Sequence, residues 1–385
     1  MQAPAPIDVL RRGGTRFRIV CCVAVVLVAA AVLVPTLEGQ PAAGISKLIV
    51  SGRGFGHGMG LSQWGAEERA RAGQSTREIL AFYYPGTELR TVAGRSVRVL
   101  VGEARTVRVG STAPFTLRDA RGRTLTLPAG LYPVTTAFQV DGRVLAPPLR
   151  LEPGNAPLRA GTTGYHGTLT LLRQGRRVLV VDRLGIEDYV RDVVSVECVA
   201  SWSQNALRAQ AVASRSYTLA SLRPHARFDL YPDDRSQNYR GLRKEFASAT
   251  QATEATKGEV LLYRGRVAYT VFSASNGGLT NDTAGPWPPT TLPYLVSRPD
   301  PFDERGPDTV WGPVGIDTQK LDAAFPQLPA HLMNVKIARS HAGRVQAITF
   351  VGAGGAAVTI DGYTFQQRLG LRSTYLTTVE PARSG

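Results

Sequence analysis

Cysteine is nearly absent from this chain of 385 residues, which has three. Cys21 and Cys22 lie in an apolar run near the N-terminus, so removal of that run leaves Cys198 alone. A single thiol excludes an internal disulfide framework, and the stability of the folded part must therefore come from a packed core.

The chain also lacks the features of nucleic-acid-binding, nucleotide-binding and metal-binding proteins. Its formal net charge is +15, yet it has no block of Lys or Arg interleaved with aromatic residues. No G-K-[ST] motif follows the glycine-rich segment at 52–73, and the five histidines show no metal-ligand spacing. We therefore expect no nucleic-acid partner, no cofactor and no metal site. An acidic wall polymer is the natural partner for a basic exported protein.

One long apolar run defines the N-terminal organisation. Residues 1–18 form a basic tail, residues 19–34 are apolar without interruption, and residues 35–46 have the composition of a short flexible linker. A basic stretch ahead of such a run is typical of an export signal or a short signal-anchor helix. We expect export to the cell envelope, either anchored by residues 19–34 or secreted after cleavage, with membrane contact through this segment only.

Glycine and proline are plentiful, with 40 and 25 residues, and short runs of Val, Thr and Leu alternate with turn signals. This pattern predicts a strand-rich α+β protein. A helical stretch at 66–89 precedes a β-rich part at 95–181, a part with helices and the functional motifs at 182–317, and a β-rich C-terminal part at 318–380. Asp141-Gly142, between two apolar stretches, predicts a two-residue hairpin turn.

A lone carboxylate, Glu197, stands among apolar residues just before a predicted helix. Apolar surroundings hold a carboxyl back from ionising, and a protonated carboxyl can act as a general acid. The alternative is an exposed glutamate in the approach to the helix. In that helix, with Ser203 as the expected N-cap, Arg208 and Arg215 share one face and small residues share the other. These arginines either meet carboxylates of a ligand or pair with acids of the protein itself.

Three further segments suit a ligand site only weakly when taken alone. Five glycines surround His57 in GRGFGHGMG, so the backbone there can approach a ligand closely. The alternative for His57 is a loop histidine bonded to local backbone. The polar segments DRSQNYRG at 234–241 and FSASNGGLT at 272–280 suit sugar hydroxyls, but they equally satisfy turn backbone.

Taken in order, YVRDVVSVE, SWSQNALRAQAVASRSYTLA, SQNYRG, FSASNGGLT, PYL and DPFD resemble the stage II sporulation protein D family, which includes amidase-enhancer proteins (SpoIID/LytB). RGFGHGMGLSQWGA, REILAFYYPGTEL and the closing LGLRST are similar to further signatures of that family. The resemblance covers about residues 48–379. It implies a strand-rich SpoIID-like domain over 47–380, with a central helix carrying the active-site motif.

The resemblance also implies a lytic transglycosylase, which cleaves between N-acetylmuramic acid and N-acetylglucosamine in glycan strands without stem peptides. The glutamate at the position of Glu197 is implied to act as general acid and then base. The implied partners are peptidoglycan glycan strands and a cell-wall amidase. The residues expected to line the glycan groove are Arg208, Gln210, Arg215, Tyr217, Ser236, Gln237, Tyr239, Ser273, Ser275, Gly277, Gly278, His57 and Gln63.

The chemistry of a lone carboxylate agrees with that reaction. A glycoside hydrolase normally needs two carboxylates, but one suffices when the muramyl C6 hydroxyl is the nucleophile and a 1,6-anhydro product forms. Three alternatives stay open: a non-catalytic glycan-binding protein that stimulates an amidase, a Cys198 nucleophile with His57, and a hydrolase that pairs Glu197 with Asp233 or Asp234.

The chain departs from the family pattern at three places. Cys198-Val199 follows the acid where the family usually has Met-Pro, and Arg208 replaces a common lysine. The GHG segment comes first instead of last, so it must reach the site from the other end of the chain.

Overall fold

The structure of the chain, a computed structural model, describes residues 44–282 and 291–383. The described residues form 23 strands and seven α-helices, which confirms the strand-rich α+β class. The tail at 1–18 and the expected signal or anchor helix at 19–34 lie outside these ranges. Among the helices within them, none has the length and apolar character needed to cross a membrane.

The elements follow one another in an order that alternates strand-rich and helical stretches. The strands are β1 (Ile45–Arg53), β2 (Leu61–Ser62), β3 (Glu88–Thr91), β4 (Ser96–Ala104), β5 (Thr106–Ser111), β6 (Phe115–Arg118), β7 (Thr124–Leu127), β8 (Gly130–Thr135), β9 (Gln139–Val140), β10 (Arg143–Val144), β11 (Leu149–Glu152), β12 (Leu158–Ala160), β13 (Thr163–Tyr165), β14 (Thr168–Gln174), β15 (Arg177–Gly185), β16 (Glu259–Tyr263), β17 (Arg266–Val267), β18 (Phe272–Ser273), β19 (Val310–Asp317), β20 (Leu332–Arg339), β21 (Val345–Gly352), β22 (Ala357–Asp361) and β23 (Leu376–Arg383). The helices are α1 (Gln63–Arg71), α2 (Thr76–Tyr83), α3 (Ile186–Glu197), α4 (Gln204–Ala220), α5 (Ala247–Ala255), α6 (Thr318–Ala324) and α7 (Gly362–Leu369), with short 3₁₀ turns at Gly241–Arg243, Asp303–Arg305 and Ala353–Gly355.

Two antiparallel sheets make up the β-rich part at 95–181. One has the strand order β4-β15-β14-β11-β6-β7 and the other β13-β12-β5-β8. Leu169 and Leu171 alternate inward from β14 and are fully buried, as period-2 patterning requires. The hairpin prediction is confirmed: β9 pairs with β10 across Asp141 and Gly142, whose φ angles are 49° and 71°. Positive φ at both turn residues matches the twist of the flanking strands.

The two ends of the described chain meet in one sheet. Strand β1 pairs antiparallel with both β19 and β23, and the sheet β20-β21-β22 packs over it with α6 and α7. Leu48, Ile316, Phe350 and Phe365 are fully buried between these elements. Ile45, placed in the linker by the sequence, is the first residue of β1. This pairing brings the glycine-rich segment after β1 back toward the later motifs.

Helix α4 is the centre of the helical part. It is buried around nearly its whole circumference, and Ala206, Ala209 and Ala213 let neighbouring elements approach closely. The stretch at 66–89, predicted to be helical throughout, is instead two helices and a strand. Gly73, with φ of 89°, follows α1, and Ser75 begins α2 through a capping box with Glu78.

Candidate functional site

Glu197 is the last residue of α3 as well as lying ahead of α4. Helix α3 buries Tyr189, Val190 and Val193, and it ends because Cys198 takes an extended conformation, with φ of −115° and ψ of 170°. The carboxylate therefore stands at a helix C-terminus, where the partial negative charge of the helix dipole disfavours ionisation.

The Glu197 carboxylate is half-buried and held by donors on two other segments. Its Oε1 accepts hydrogen bonds from the Asn238 backbone N–H at 2.8 Å and from Asn238 Nδ2 at 3.1 Å. The Gln63 side chain hydrogen-bonds to the same carboxyl group. Burial raises the pKa of Glu197 above its ordinary value, although Asn238, Gln63 and the charge of Arg240 act in the opposite direction. The site thus favours a carboxyl that keeps its proton and still has donors ready for the ionised form.

Gln63 connects the glycine-rich segment to Glu197. Its Nε2 lies 3.5 Å from Gln210 Oε1 on α4, so Gln63 links Glu197 to Gln210. Farther along α1, Trp64 packs edge-on against Trp202 with ring centroids 5.0 Å apart. Helix α1 therefore rests on the segment between Glu197 and α4.

Glu67 fixes that same segment from beneath. Its Oε2 accepts the Ser203 backbone N–H at 2.8 Å, and its Oε1 accepts the Ser203 hydroxyl at 3.3 Å. Ser203 is the N-cap residue of α4, as predicted, but its hydroxyl bonds to Glu67 instead of capping the helix.

The glycine-rich loop threads against the Ser-Gly turn that follows β18. Gly58 donates its N–H to Ser273 Oγ at 3.2 Å. Gly58 and Gly60 have φ of 70° and 63°, and a Cβ at Gly58 would overlap the Arg344 guanidinium. Close packing of the loop backbone against other parts of the protein therefore explains these glycines.

His57 belongs to this loop packing. Its Nδ1 accepts the Met59 N–H at 3.0 Å. Burial lowers the pKa of His57 to about 3, with the charge of Arg344 adding to the effect, so the ring is neutral. His57 therefore makes the local backbone contact that was the alternative to a ligand role.

The Ser-Gly turn encloses a buried carboxylate that sequence reasoning missed. Asp303 accepts hydrogen bonds from Ser275 Oγ at 2.8 Å, from Gly277 N at 2.7 Å, from Gly278 N at 3.0 Å and from the Ser62 hydroxyl. Ser275, Gly277 and Gly278 thus point their donors at Asp303, not outward. The sequence did contain a signal for it, because Asp303 is the last residue of the motif DPFD.

The three named residues of the S-Q-x-Y motif are buried and hold the loop in place, and the unspecified residue of the motif contacts Glu197. Ser236 Oγ accepts the Tyr231 N–H at 3.1 Å, Gln237 Nε2 donates to Thr218 at 2.9 Å, and the Tyr239 hydroxyl donates to Asp182 at 2.7 Å. These side chains hold the loop to α4 and β15, and the residue between them, Asn238, reaches Glu197. Asn238 could not be picked out from the sequence, because only the named positions of the motif were taken as site residues.

The expectation that Arg215 lines the groove is corrected by its position. Its guanidinium is fully buried and makes a bidentate pair with Glu187, at 3.1 and 2.6 Å, and it also donates to the Glu259 carbonyl at 3.1 Å. Arg215 therefore joins α3, α4 and β16, which is the protein-pairing alternative. Tyr217 lies on the other face and packs against Tyr269, with ring centroids 4.9 Å apart.

Two arginines in the predicted motif segments, Arg208 and Arg240, make no ion pair among the described residues. Arg208 is partly buried on α4, and its Nε has no hydrogen-bond partner there. Arg240 is exposed two residues after Asn238, and its charge acts on Glu197. Arg240 was not among the predicted site residues, although it belongs to the segment SQNYRG.

Two predicted alternatives to a lone glutamate have structural obstacles. Asp233 is held bidentately by Arg235, at 2.8 and 2.7 Å, and this arginine lowers the pKa of Asp233. Cys198 is buried, and burial raises the pKa of its thiol well above the ordinary value. A thiol in that state is a poor nucleophile.

Comparison with known proteins finds similarity in the region that contains Glu197. Residues 174–263, which run from the β14–β15 turn through β16, match the family model described as stage II sporulation protein, SpoIID. The amidase enhancer of Bacillus subtilis is 32% identical over 138 residues, covering 36% of this chain and 19% of the relative. Stage II sporulation protein D of Bacillus amyloliquefaciens is 28% identical over 144 residues, covering 33% of this chain and 42% of the relative.

An uncharacterized protein of Brachyspira hyodysenteriae is 37% identical over 134 residues, covering 34% of this chain and 36% of the relative. The chain therefore spans between 19% and 42% of the length of these curated relatives.

Proposed function

We propose that this chain, a member of the SpoIID/LytB family, acts on the peptidoglycan of the cell wall as a lytic transglycosylase. Its substrate is glycan strands without stem peptides, and the bond cleaved is that between N-acetylmuramic acid and N-acetylglucosamine. Glu197 protonates the leaving oxygen and then takes the proton of the muramyl C6 hydroxyl, which attacks C1 and gives a 1,6-anhydro end. We also propose that the protein lies in the cell envelope and that residues 1–34 direct its export.

The observation that carries the proposal is the setting of Glu197. A half-buried carboxyl at a helix C-terminus, with its pKa raised by burial, is poised to donate a proton. The N–H and amide of Asn238, at 2.8 and 3.1 Å, stabilise the carboxylate formed when the proton leaves. One group can therefore serve as acid and then as base in successive half-reactions.

A single carboxylate matches a reaction in which the substrate supplies its own nucleophile. A two-carboxylate hydrolase needs a second acid free to activate water or to attack. Of the two predicted partners, Asp233 and Asp234, the first is paired with Arg235. This pairing argues against Asp233 as the second carboxylate.

Arg240 is better placed than Arg215 to bind a carboxylate of the substrate, which was one of the two alternatives left open for Arg215. Stem-peptide-free muramic acid exposes a lactyl carboxylate, which needs a cation close to the cleaved bond. Arg240 is exposed, lies close enough to Glu197 to act on its ionisation, and has no ion pair among the described residues. Arg215 is enclosed by Glu187 and backbone carbonyls and cannot turn outward without leaving that carboxylate unpaired.

The test is product analysis on purified glycan freed of stem peptides. Wild-type protein should release fragments with anhydro-muramic acid ends, and Glu197→Gln should release none. Glu254→Gln is a matched control, because Glu254 is exposed on α5 and is not among the groups that hold Glu197. Hydrated reducing ends from the wild type would overturn the transglycosylase mechanism.

The relative named amidase enhancer favours a second candidate, a glycan-binding protein that stimulates a cell-wall amidase. Amidase release of stem peptides, measured with and without this protein, separates the two. Equal stimulation by wild type and Glu197→Gln, with glycan left intact by both, would establish the second candidate in place of the first.

A further inference from the structure

A second cluster of ionisable groups lies beside α3, and none of its members is among the groups that hold Glu197. His166 precedes β14, Asp192 is on α3 and Glu245 precedes α5. One ligand atom of each lies within 4.8 Å of the other two. His166 Nε2 is 2.5 Å from Glu245 Oε1 and 3.8 Å from Asp192 Oδ1. Local spacing of histidines does not reveal this set, because the fold assembles it from three separated segments.

Asp192 is the member that ordinary packing does not explain. Its side chain is fully buried, and among the described residues neither carboxylate oxygen has a hydrogen-bond donor; it faces the His166 ring and the Glu245 carboxyl. A buried charge without partners is costly, so such a group either keeps a proton or binds a cation. The carboxylate is aimed at the other two ligand atoms, not at solvent.

We propose that His166, Asp192 and Glu245 form a binding site for one divalent transition-metal ion, Zn²⁺ or Mn²⁺. One imidazole and two carboxylates are a ligand set that suits these ions. Ligand atoms on one ion at about 2.1 Å lie roughly 3.3 Å apart, so shifts of about 1 Å suffice. The side chains of His166 and Glu245 are 24% and 27% exposed, which gives the ion a route from solvent.

Arg191 is the group that the ion must displace. Its Nη2 lies 3.0 Å from His166 Nε2, and its Nε donates to Glu245 at 3.0 Å. The same guanidinium donates to Asp188 at 2.7 Å, and Asp188 is 42% exposed. Arg191 therefore has an acceptor to retain when it leaves the other two. Bound metal would fasten α3, which ends at Glu197, to the segment before α5.

The test is titration of purified full-length protein, kept in detergent and freed of metal with a chelator, with ZnCl₂ and with MnCl₂. We expect one ion per chain by calorimetry and a higher unfolding temperature when it is bound. His166→Gln and Glu245→Gln should each weaken binding at least about tenfold. Arg191→Gln should tighten it, because the competing cation is gone. These readouts do not depend on glycan cleavage, so the site stands or falls separately from the proposed function.

His225→Gln is the matched control, since His225 is exposed and outside the cluster. It should bind the ion as the wild type does. Absence of stoichiometric binding, or equal binding by wild type and His166→Gln, overturns the proposal. Asp192 is then a protonated carboxyl packed against Glu245. Weaker binding by Arg191→Gln also contradicts it, because the guanidinium would then belong to the site.

Discussion

Glu197 and Asp303 are two carboxylates whose pKa values are both raised by burial, and they are built into their surroundings in different ways. Asp303 is fully buried and takes donors from β2 and from several residues of the Ser-Gly turn. Glu197 is only half-buried and is held by Asn238 and Gln63. The first fastens a turn, and the second stays within reach of a ligand.

The difference shows that a raised pKa alone does not identify a general acid. Burial raises the pKa of both carboxyl groups, but the hydrogen bonds that Asp303 accepts already occupy its oxygens. Asp303 is therefore not available to act on a ligand. The position of Glu197 at a helix end, between two motif segments, leaves its proton available. The following predictions would break or sharpen this contrast.

The largest effect is expected for activity at Glu197. Loss of a general acid and base typically costs about 10²–10⁴-fold in rate, so Glu197→Gln should lower kcat on stem-peptide-free glycan by that range. The glutamine carbonyl can still accept from Asn238, and the fold should persist by circular dichroism. A variant with more than a tenth of wild-type activity contradicts the role.

At Asp303 the expected loss is in stability. Asp303→Ala removes the acceptor of the Ser62 and Ser275 hydroxyls and of the Asn276 N–H. The Gly277 and Gly278 N–H groups also lose Asp303 but keep Ser275 Oγ at 3.2 Å and Asn276 Oδ1 at 2.9 Å as acceptors. Unsatisfied buried donors cost about 1–3 kcal/mol each before relaxation, so we expect a loss of roughly 3 kcal/mol in unfolding free energy by urea denaturation. Asp322→Ala, at an exposed acid, is the control and should change little. Unchanged stability of Asp303→Ala would remove its structural role.

Arg240 tests whether the groove beside Glu197 reads substrate charge. Arg240→Ala should lower kcat/KM on glycan with free lactyl carboxylates by about tenfold, the value of one charge-assisted contact of about 1.4 kcal/mol. Arg176→Ala makes the same charge change at an exposed turn and should be neutral. Equal effects of both substitutions would point to general attraction by the basic protein.

The hydrogen bonds on Glu197 predict a shift in pH dependence. The Asn238 side-chain amide lowers the pKa of Glu197 against the effect of burial. Asn238→Ala removes this bond and keeps the backbone N–H bond, so it should raise that pKa. The acid form then survives to higher pH, and the alkaline limb of the kcat/KM profile moves upward. A downward shift would show that Asn238 does not stabilise the carboxylate.

The smallest effect is a pH-dependent stability difference. Because the pKa of Glu197 is raised above 4.5 in the folded protein, the folded state resists losing its proton, and stability falls as pH rises through the folded pKa. Glu197→Gln lacks this penalty, so its unfolding midpoint should equal that of the wild type at low pH and exceed it slightly near neutrality. The reverse trend would mean that the ionised form is the one preferred on folding.

Much of the fold and the apolar setting of the candidate acid Glu197 could be predicted from sequence, because period-2 strands, the Asp141-Gly142 turn and the apolar residues around Glu197 are local signals. The residues that line the groove were harder to predict. Residues at motif positions such as Arg215, Gln237 and Tyr239 proved to be buried framework, since a motif records structural needs as well as contacts. Asn238 and Arg240 emerge only when the chain is folded, and so does the parallel pairing of β2, directly before Gln63, with β18.

The central claim, that Glu197 needs no second carboxylate because the glycan supplies the nucleophile, is tested most directly in H₂¹⁸O. Stem-peptide-free glycan cleaved by the wild-type protein should give muramic acid ends of anhydro mass with no ¹⁸O. Ends that carry one ¹⁸O and the mass of a hydrated sugar would show that water attacks, and the account would be contradicted.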